Sequence, residues 1–208
     1  GIIAGLFVYY LVAPLALEGG KLVRQVIEFA IDISPVLAGL LAGLLIWPAI
    51  LGGVYHAAIL PIILLEMEKT GNSFLGAVDM VGLTMVAAGI NLANIIAPRK
   101  KSEATAATPG FLVNMGFGTY VESAYPFMFS SKIVFFGAIC SAGLGGVLIG
   151  LFNARGTAYV PSLAGPFLSN NIWGFSISMA GALAMSFFIT LFANLASKKR
   201  MKTNSIEE

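Results

Sequence analysis

Two ionisable side chains stand among apolar neighbours, where charge is expensive and marks a functional candidate. His56 is the single histidine, set in WPAILGGVYHAAILP between a diglycine and a proline. Both flanks break helices, so the spacing predicts a backbone at His56 that is not plain helix. A neutral imidazole offers one donor and one acceptor, a pairing suited to a ligand rich in hydroxyls. The alternative is a packed histidine bonded to a backbone carbonyl. Glu122 is the one acid in ATPGFLVNMGFGTYVESAYPFMFSS. A carboxylate there can accept from two hydroxyls at once, or take the proton of a hydroxyl being phosphorylated. Its alternatives are a partner for Arg155 or Lys132, or a loop carboxylate in water. Tyr120, Tyr125 and Phe127 lie close by and suit either ring stacking or anchoring at a membrane interface.

Asn91 and Asn94, at i and i+3, share one helix face and either line a polar path or bond between helices. Arg155 lies in a broken segment, NARGTAYVPSLAGPFLSNN, where it can pair with Glu122 or approach a phosphate. Asp79, Glu66 and Glu68 fall near segment ends and are expected in water. There is no P-loop, no HExxH and no Cys/His metal spacing, so neither a metal nor a cofactor is expected. The lone Cys140 permits no intrachain disulfide and reads as a small buried hydrophobe.

Elements that position such residues must face lipid. Of 208 residues, 58% are hydrophobic and only 11% charged, with a mean hydropathy of +0.89, against about 25% charged in a soluble domain. A bilayer span needs about 20 apolar residues. Apolar runs at 2–17, 34–47, 49–65, 74–97, 133–152 and 172–196 supply about five spans. The expected fold is an all-α integral membrane protein with about five transmembrane helices, one amphipathic interfacial helix and two re-entrant or broken segments. The amphipathic helix is 20–33, where Lys21, Arg24, Gln25, Glu28 and Asp32 oppose an apolar face. The two irregular pieces are 105–131, read as a re-entrant hairpin, and 153–171; such backbone survives at membrane depth only in protein or around a cavity. The spacing of Gly146 and Gly150 suits close helix packing.

Three regions follow: a first transmembrane helix at 1–19, the amphipathic helix at 20–33, and a substrate-binding transport domain at 34–208 with its tail at 197–208. The apolar run begins at Gly1 with no basic region before it, which reads as the C-terminal part of a longer protein. Basic clusters at Arg99 to Lys101 and in the tail place both on the cytoplasmic side, C-terminus included. Net charge of +2, in short clusters between apolar runs, argues against a nucleic-acid surface.

The order of these features resembles the C-terminal half of enzyme IIC, the membrane subunit of the phosphoenolpyruvate-dependent sugar phosphotransferase system, within the glucose/glucoside/sucrose superfamily. Gly53-Val54-Tyr55-His56 is similar to the family's G-[LI]-H-H element. Thr119-Tyr120-Val121-Glu122-Ser123-Ala124-Tyr125 resembles its glutamate hairpin, and 137–166 resembles its glycine-rich helix and the segment after it. Tyr55 stands where the family has its first histidine, and Val121 and Ser123 where it has threonine and proline. The resemblance implies that His56 and Glu122 contact sugar hydroxyls, with Glu122 the catalytic group beside the hydroxyl to be phosphorylated. The candidate substrate-binding set is His56, Glu122, Asn91, Asn94, Tyr125 and Arg155. It also implies a phosphoryl donor on a separate IIB domain, a homodimer formed through an N-terminal half, and a multi-pass place in the bacterial inner membrane. A different class remains open: an ion-coupled secondary transporter with broken helices, in which His56 and Glu122 form a proton relay.

Overall fold

The structure, a computed structural model, describes residues 2–12, 14, 18, 25, 29, 30 and 33–207. Helix α1 (Ile2–Phe7) continues through a π turn, Val8–Val12. Most of the expected amphipathic helix at 20–33 lies outside the described residues. Helix α2 (Pro35–Leu51) opens as its residues dictate: Ser34 is extended, its Oγ accepts from the Leu37 N–H, and Pro35 follows at the first turn. Pro48 lies within it, and Gly52 and Gly53 end it, Gly53 at φ 76.

A π turn, Tyr55–Ile59, leads into α3 (Leu60–Thr70), which stops at left-handed Gly71. Helix α4 (Phe74–Ile96) is capped by the Ser73 hydroxyl and widens to a π turn over Met80–Met85. Then come α5 (Lys101–Gly116), α6 (Tyr125–Ser130), α7 (Lys132–Leu151) and α8 (Ile172–Glu207). Among the described residues no strand forms; a lone antiparallel bridge joins Ser73 to Gly156.

Among the described residues three helices are long and apolar enough to cross a membrane: Phe74–Ile96, Lys132–Leu151 and Ile172–Lys199. α2 is apolar but shorter. The expected count of about five is therefore not reached among the described residues. The run at 49–65 fails as a span because Gly52 and Gly53 turn the chain and α3 ends in Glu66, Glu68 and Lys69. Burial separates the three. The most apolar window of α4 is 89% buried against 33% for that of α8, so α4 is the axis and α8 turns an apolar face outward.

Glycine sets how closely the helices meet. A Cβ on Gly39 would lie 1.9 Å from the Gly146 carbonyl oxygen, and one on Gly150 would lie 2.2 Å from that of Pro35. α2 and α7 thus touch backbone to backbone, the close approach that small residues permit. Gly89 plays the same part between α4 and α8, where Ser186 Oγ occupies the space its Cβ would need.

Three expectations are corrected. The stretch 105–131 is not loose throughout: α5 is an ordinary helix up to Gly116 despite Pro109, started by Glu103, whose carboxylate accepts from the Arg99 and Lys100 N–H groups. Asp79 is fully buried, not solvated, because it stands on the central helix under Tyr55. Cys140 is exposed, not buried, because α7 packs through Gly137, Ala138, Ser141 and Ala142 and leaves Ile133, Phe136, Cys140 and Leu144 outward.

Candidate functional site

Glu122 is presented by a turn that the end of α5 folds back on itself. The N–H groups of Phe117 and Gly118 both donate to the Val113 carbonyl, at 2.9 and 3.0 Å. Gly118 sits at φ 111, and a Cβ there would be 2.8 Å from the Val160 carbonyl oxygen; this is one place where only glycine fits. Buried Asn114 then clamps the next residue from both sides. Its Oδ1 accepts from the Tyr120 N–H at 2.8 Å, and its Nδ2 donates to the Tyr120 carbonyl at 3.1 Å. Ser123 Oγ donates to the same carbonyl at 2.6 Å and accepts from Asn91 Nδ2 at 2.8 Å.

The result is one turn of 3₁₀ helix, Val121–Ala124, whose apolar residues point down. Val121 and Ala124 are buried, while Glu122 is exposed. Thr119 ties the turn to the central helix through a 3.1 Å hydroxyl contact with Thr84. Tyr125 follows, half buried, its ring edge-on to Trp47 with centroids 6.4 Å apart. Burial first, and then the charge of Glu122, raise the Tyr125 phenol above its ordinary value, which leaves it a neutral donor.

His56 is exposed on the π turn after the diglycine, in the irregular backbone its flanks imply. Its ring lies edge-on to that of Tyr55 at 5.1 Å. Tyr55 is fully buried, and its hydroxyl donates to Asp79 Oδ1 at 2.5 Å. The other Asp79 oxygen, also buried, has no protein partner. Tyr159, from the broken segment, brings its hydroxyl to 3.5 Å from that of Tyr55. Burial above all, with added effect from the carboxylates of Asp79 and Glu122, raises its phenol too. No hydrogen bond joins His56 to Glu122; the Tyr159 hydroxyl meets Tyr55 beside His56, and its backbone packs on Gly118 ahead of the Glu122 turn.

The other candidates are placed as follows. Asn91 is fully buried and supports the Glu122 turn through Ser123, with its Oδ1 unpaired. Asn94 bonds back to the Ile90 carbonyl and accepts across helices from Asn194 Nδ2 at 2.9 Å. Arg155 faces Glu66, at 3.8 Å, not Glu122; Glu66 in turn accepts from Ser73 Oγ. A cleft of about 240 Å³ opens between α4, α5, the broken segment and α8, lined by Met85, Met115, Ser162, Leu163 and Met179 among others. Neither His56 nor Glu122 lines it. Among the described residues no cluster of His, Cys, Asp or Glu is able to hold a metal ion.

Asn114, Tyr55, Asp79 and Tyr159 were not singled out from the sequence as site residues. Asn114 sits in a stretch with no spacing signal of its own, and Tyr159 reaches the site only through folding. Asp79 is visible as an acid in an apolar run, but its place near the run's start points to water.

No family model matches the chain, and no solved structure does. Two curated proteins are similar to it. The sucrose-specific EIIBC component of the PTS system of Staphylococcus xylosus is 26% identical over 182 residues, covering 81% of this chain and 36% of that protein. The protein of the same description from Vibrio alginolyticus is 22% identical over 211 residues, covering 96% of this chain and 42% of its own length. The chain thus spans less than half the length of either relative.

Proposed function

We propose that this chain, similar to sucrose-specific EIIBC components, is the EIIC-type part of a phosphotransferase-system sugar permease, in which Glu122 and His56 hold a sugar for uptake coupled to its phosphorylation. What carries the reading is Glu122: a lone carboxylate, exposed on a turn that Asn114 and Ser123 hold in place. Glu122 accepts from sugar hydroxyls and takes the proton of the one that reacts. His56 offers a donor and an acceptor from the neighbouring element. Tyr125, a neutral phenol beside Glu122, donates.

The phosphoryl donor in this reading is a phosphocysteine on a partner IIB domain. The sugar oxygen attacks phosphorus as its proton passes to Glu122, the O–P bond forms, the S–P bond breaks, and the thiolate leaves. The product carries a charge near −2, which bars its return through hydrocarbon.

The test uses the full-length protein in bacterial membranes supplied with the soluble phosphotransferase proteins. Glu122→Gln keeps the shape and removes the base; sugar phosphorylation is expected to fall by about 10²-fold or more, with membrane insertion unchanged. An unaltered rate overturns the role of Glu122. Uptake that collapses with an uncoupler and needs no phosphoryl donor overturns the class and favours an ion-coupled carrier.

A further inference from the structure

Tyr159 has no part in that scheme, yet its backbone calls for one. It lies at φ 60, in the left-handed region where a bulky residue is an outlier and where strain tends to gather at ligand sites. Asn153, at φ 45, is the other such residue, but asparagine tolerates that conformation and tyrosine does not.

Two contacts hold Tyr159 there. Its peptide and that of Val160 press on Gly118, four residues before Glu122. Its hydroxyl meets that of Tyr55, the neighbour of His56 in sequence and in ring contact. Tyr55 in turn is fixed by Asp79. A carboxyl group wholly buried on a spanning helix, with a single protein partner, is costly, and apolar residues of similar size pack as well. Stability alone does not account for it. A fixed direction for the Tyr55 hydroxyl does, because that hydroxyl steers Tyr159. The ring so steered stays 44% exposed, between the element that carries His56 and the turn that carries Glu122.

We propose that Tyr159 is a third side chain of the sugar site, laying its ring against the apolar C–H face of the sugar, with Tyr55 and Asp79 as positioning residues that set its angle. The inference rests on the permease reading above. Glu122 and His56 read hydroxyls, and a ring beside them reads the face that hydroxyls leave bare. The one bound molecule then meets all three elements: the π turn, the Glu122 turn and the broken segment.

The experiment measures sugar phosphorylation by the full-length protein, with radiolabelled sucrose, maltose and glucose as probes, separating KM from kcat. Loss of a ring contact removes binding shared by ground and transition states, so Tyr159→Ala should raise KM about tenfold or more with kcat within about twofold. Tyr159→Phe keeps the ring and should lose less. Tyr55→Phe and Asp79→Leu should raise KM as well, and each combined with Tyr159→Ala should do no more than Tyr159→Ala alone. Asp79→Asn, which keeps an acceptor for the Tyr55 hydroxyl, should recover most of the KM lost in Asp79→Leu. A wild-type KM in Tyr159→Ala, or additive effects of Tyr55→Phe, overturns the inference while Glu122→Gln still stands as the test of the permease reading. If Asp79→Asn abolishes kcat at unchanged KM, Asp79 moves protons and the positioning role is wrong. If no probe is phosphorylated by the wild type, the permease reading falls and this inference with it.

Discussion

Asn114 holds both the N–H and the carbonyl of Tyr120 in one buried amide, and so decides where Glu122 points without touching any ligand. Asn114→Ala leaves the Tyr120 N–H without its partner, while the carbonyl keeps the Ser123 hydroxyl, at a cost of about 1–3 kcal/mol. Its melting temperature in detergent should fall, with Asn114→Asp in between because it keeps the acceptor and loses the donor; a melting curve unmoved by Asn114→Ala contradicts the clamp. Glu122 and His56 were legible from sequence because isolated charge in an apolar run is conspicuous. Asn114 and Tyr159 were not, since a hydrogen bond across a turn and a ring brought from another segment leave no mark in local spacing. Asp79 shows the limit from the other side. Its closeness to the helix start suggests water, and only the fold places Tyr55 over it.

The start of α2 is the best-read helix end, since Ser34-Pro35 is local chemistry, a cap and a first-turn proline. Its other end is not: the apolar run stops at 47 before Pro48, but the helix carries through that proline to Leu51 and the glycine pair. α5 was missed because Pro109, Gly110 and scattered threonines weaken helix propensity, while packing against α4 decides the matter. The glycine seam between α2 and α7 was visible as small-residue spacing in α7, but its partner helix was not. Gly146→Val should force the two backbones apart and sharply lower the folded yield, read by size-exclusion profile after solubilisation. Gly116→Ala, at a glycine with open space around it, should leave the profile unchanged. Equal behaviour of the two variants contradicts the seam.

For the whole molecule, composition alone identified a lipid-facing chain, while the number of crossings depended on where glycine pairs turn it. The unequal burial of α4 and α8 makes a measurable pattern. In a Trp173→Phe background, Phe188→Trp on the outer face of α8 should be quenched by lipids brominated on their acyl chains, whereas native Trp47, fully buried, should not be. Quenching of Trp47 would mean that the packing around α2 and α4 is open to lipid.

The burial of α4 has a consequence for synthesis. This helix carries Asp79, Thr84, Asn91 and Asn94, all without exposure in the finished protein, and a carboxyl or amide facing lipid is unfavourable. Tyr55, which donates to one oxygen of Asp79, has already emerged when α4 leaves the ribosome, but Asn194, which reaches Asn94, lies 100 residues downstream. The nascent α4 therefore cannot be released sideways into the bilayer as a lone helix on favourable terms. Its polar groups gain partners in chain order, Asp79 from Tyr55, Thr84 from Thr119, Asn91 from Ser123 and Asn94 last, when α8 brings Asn194.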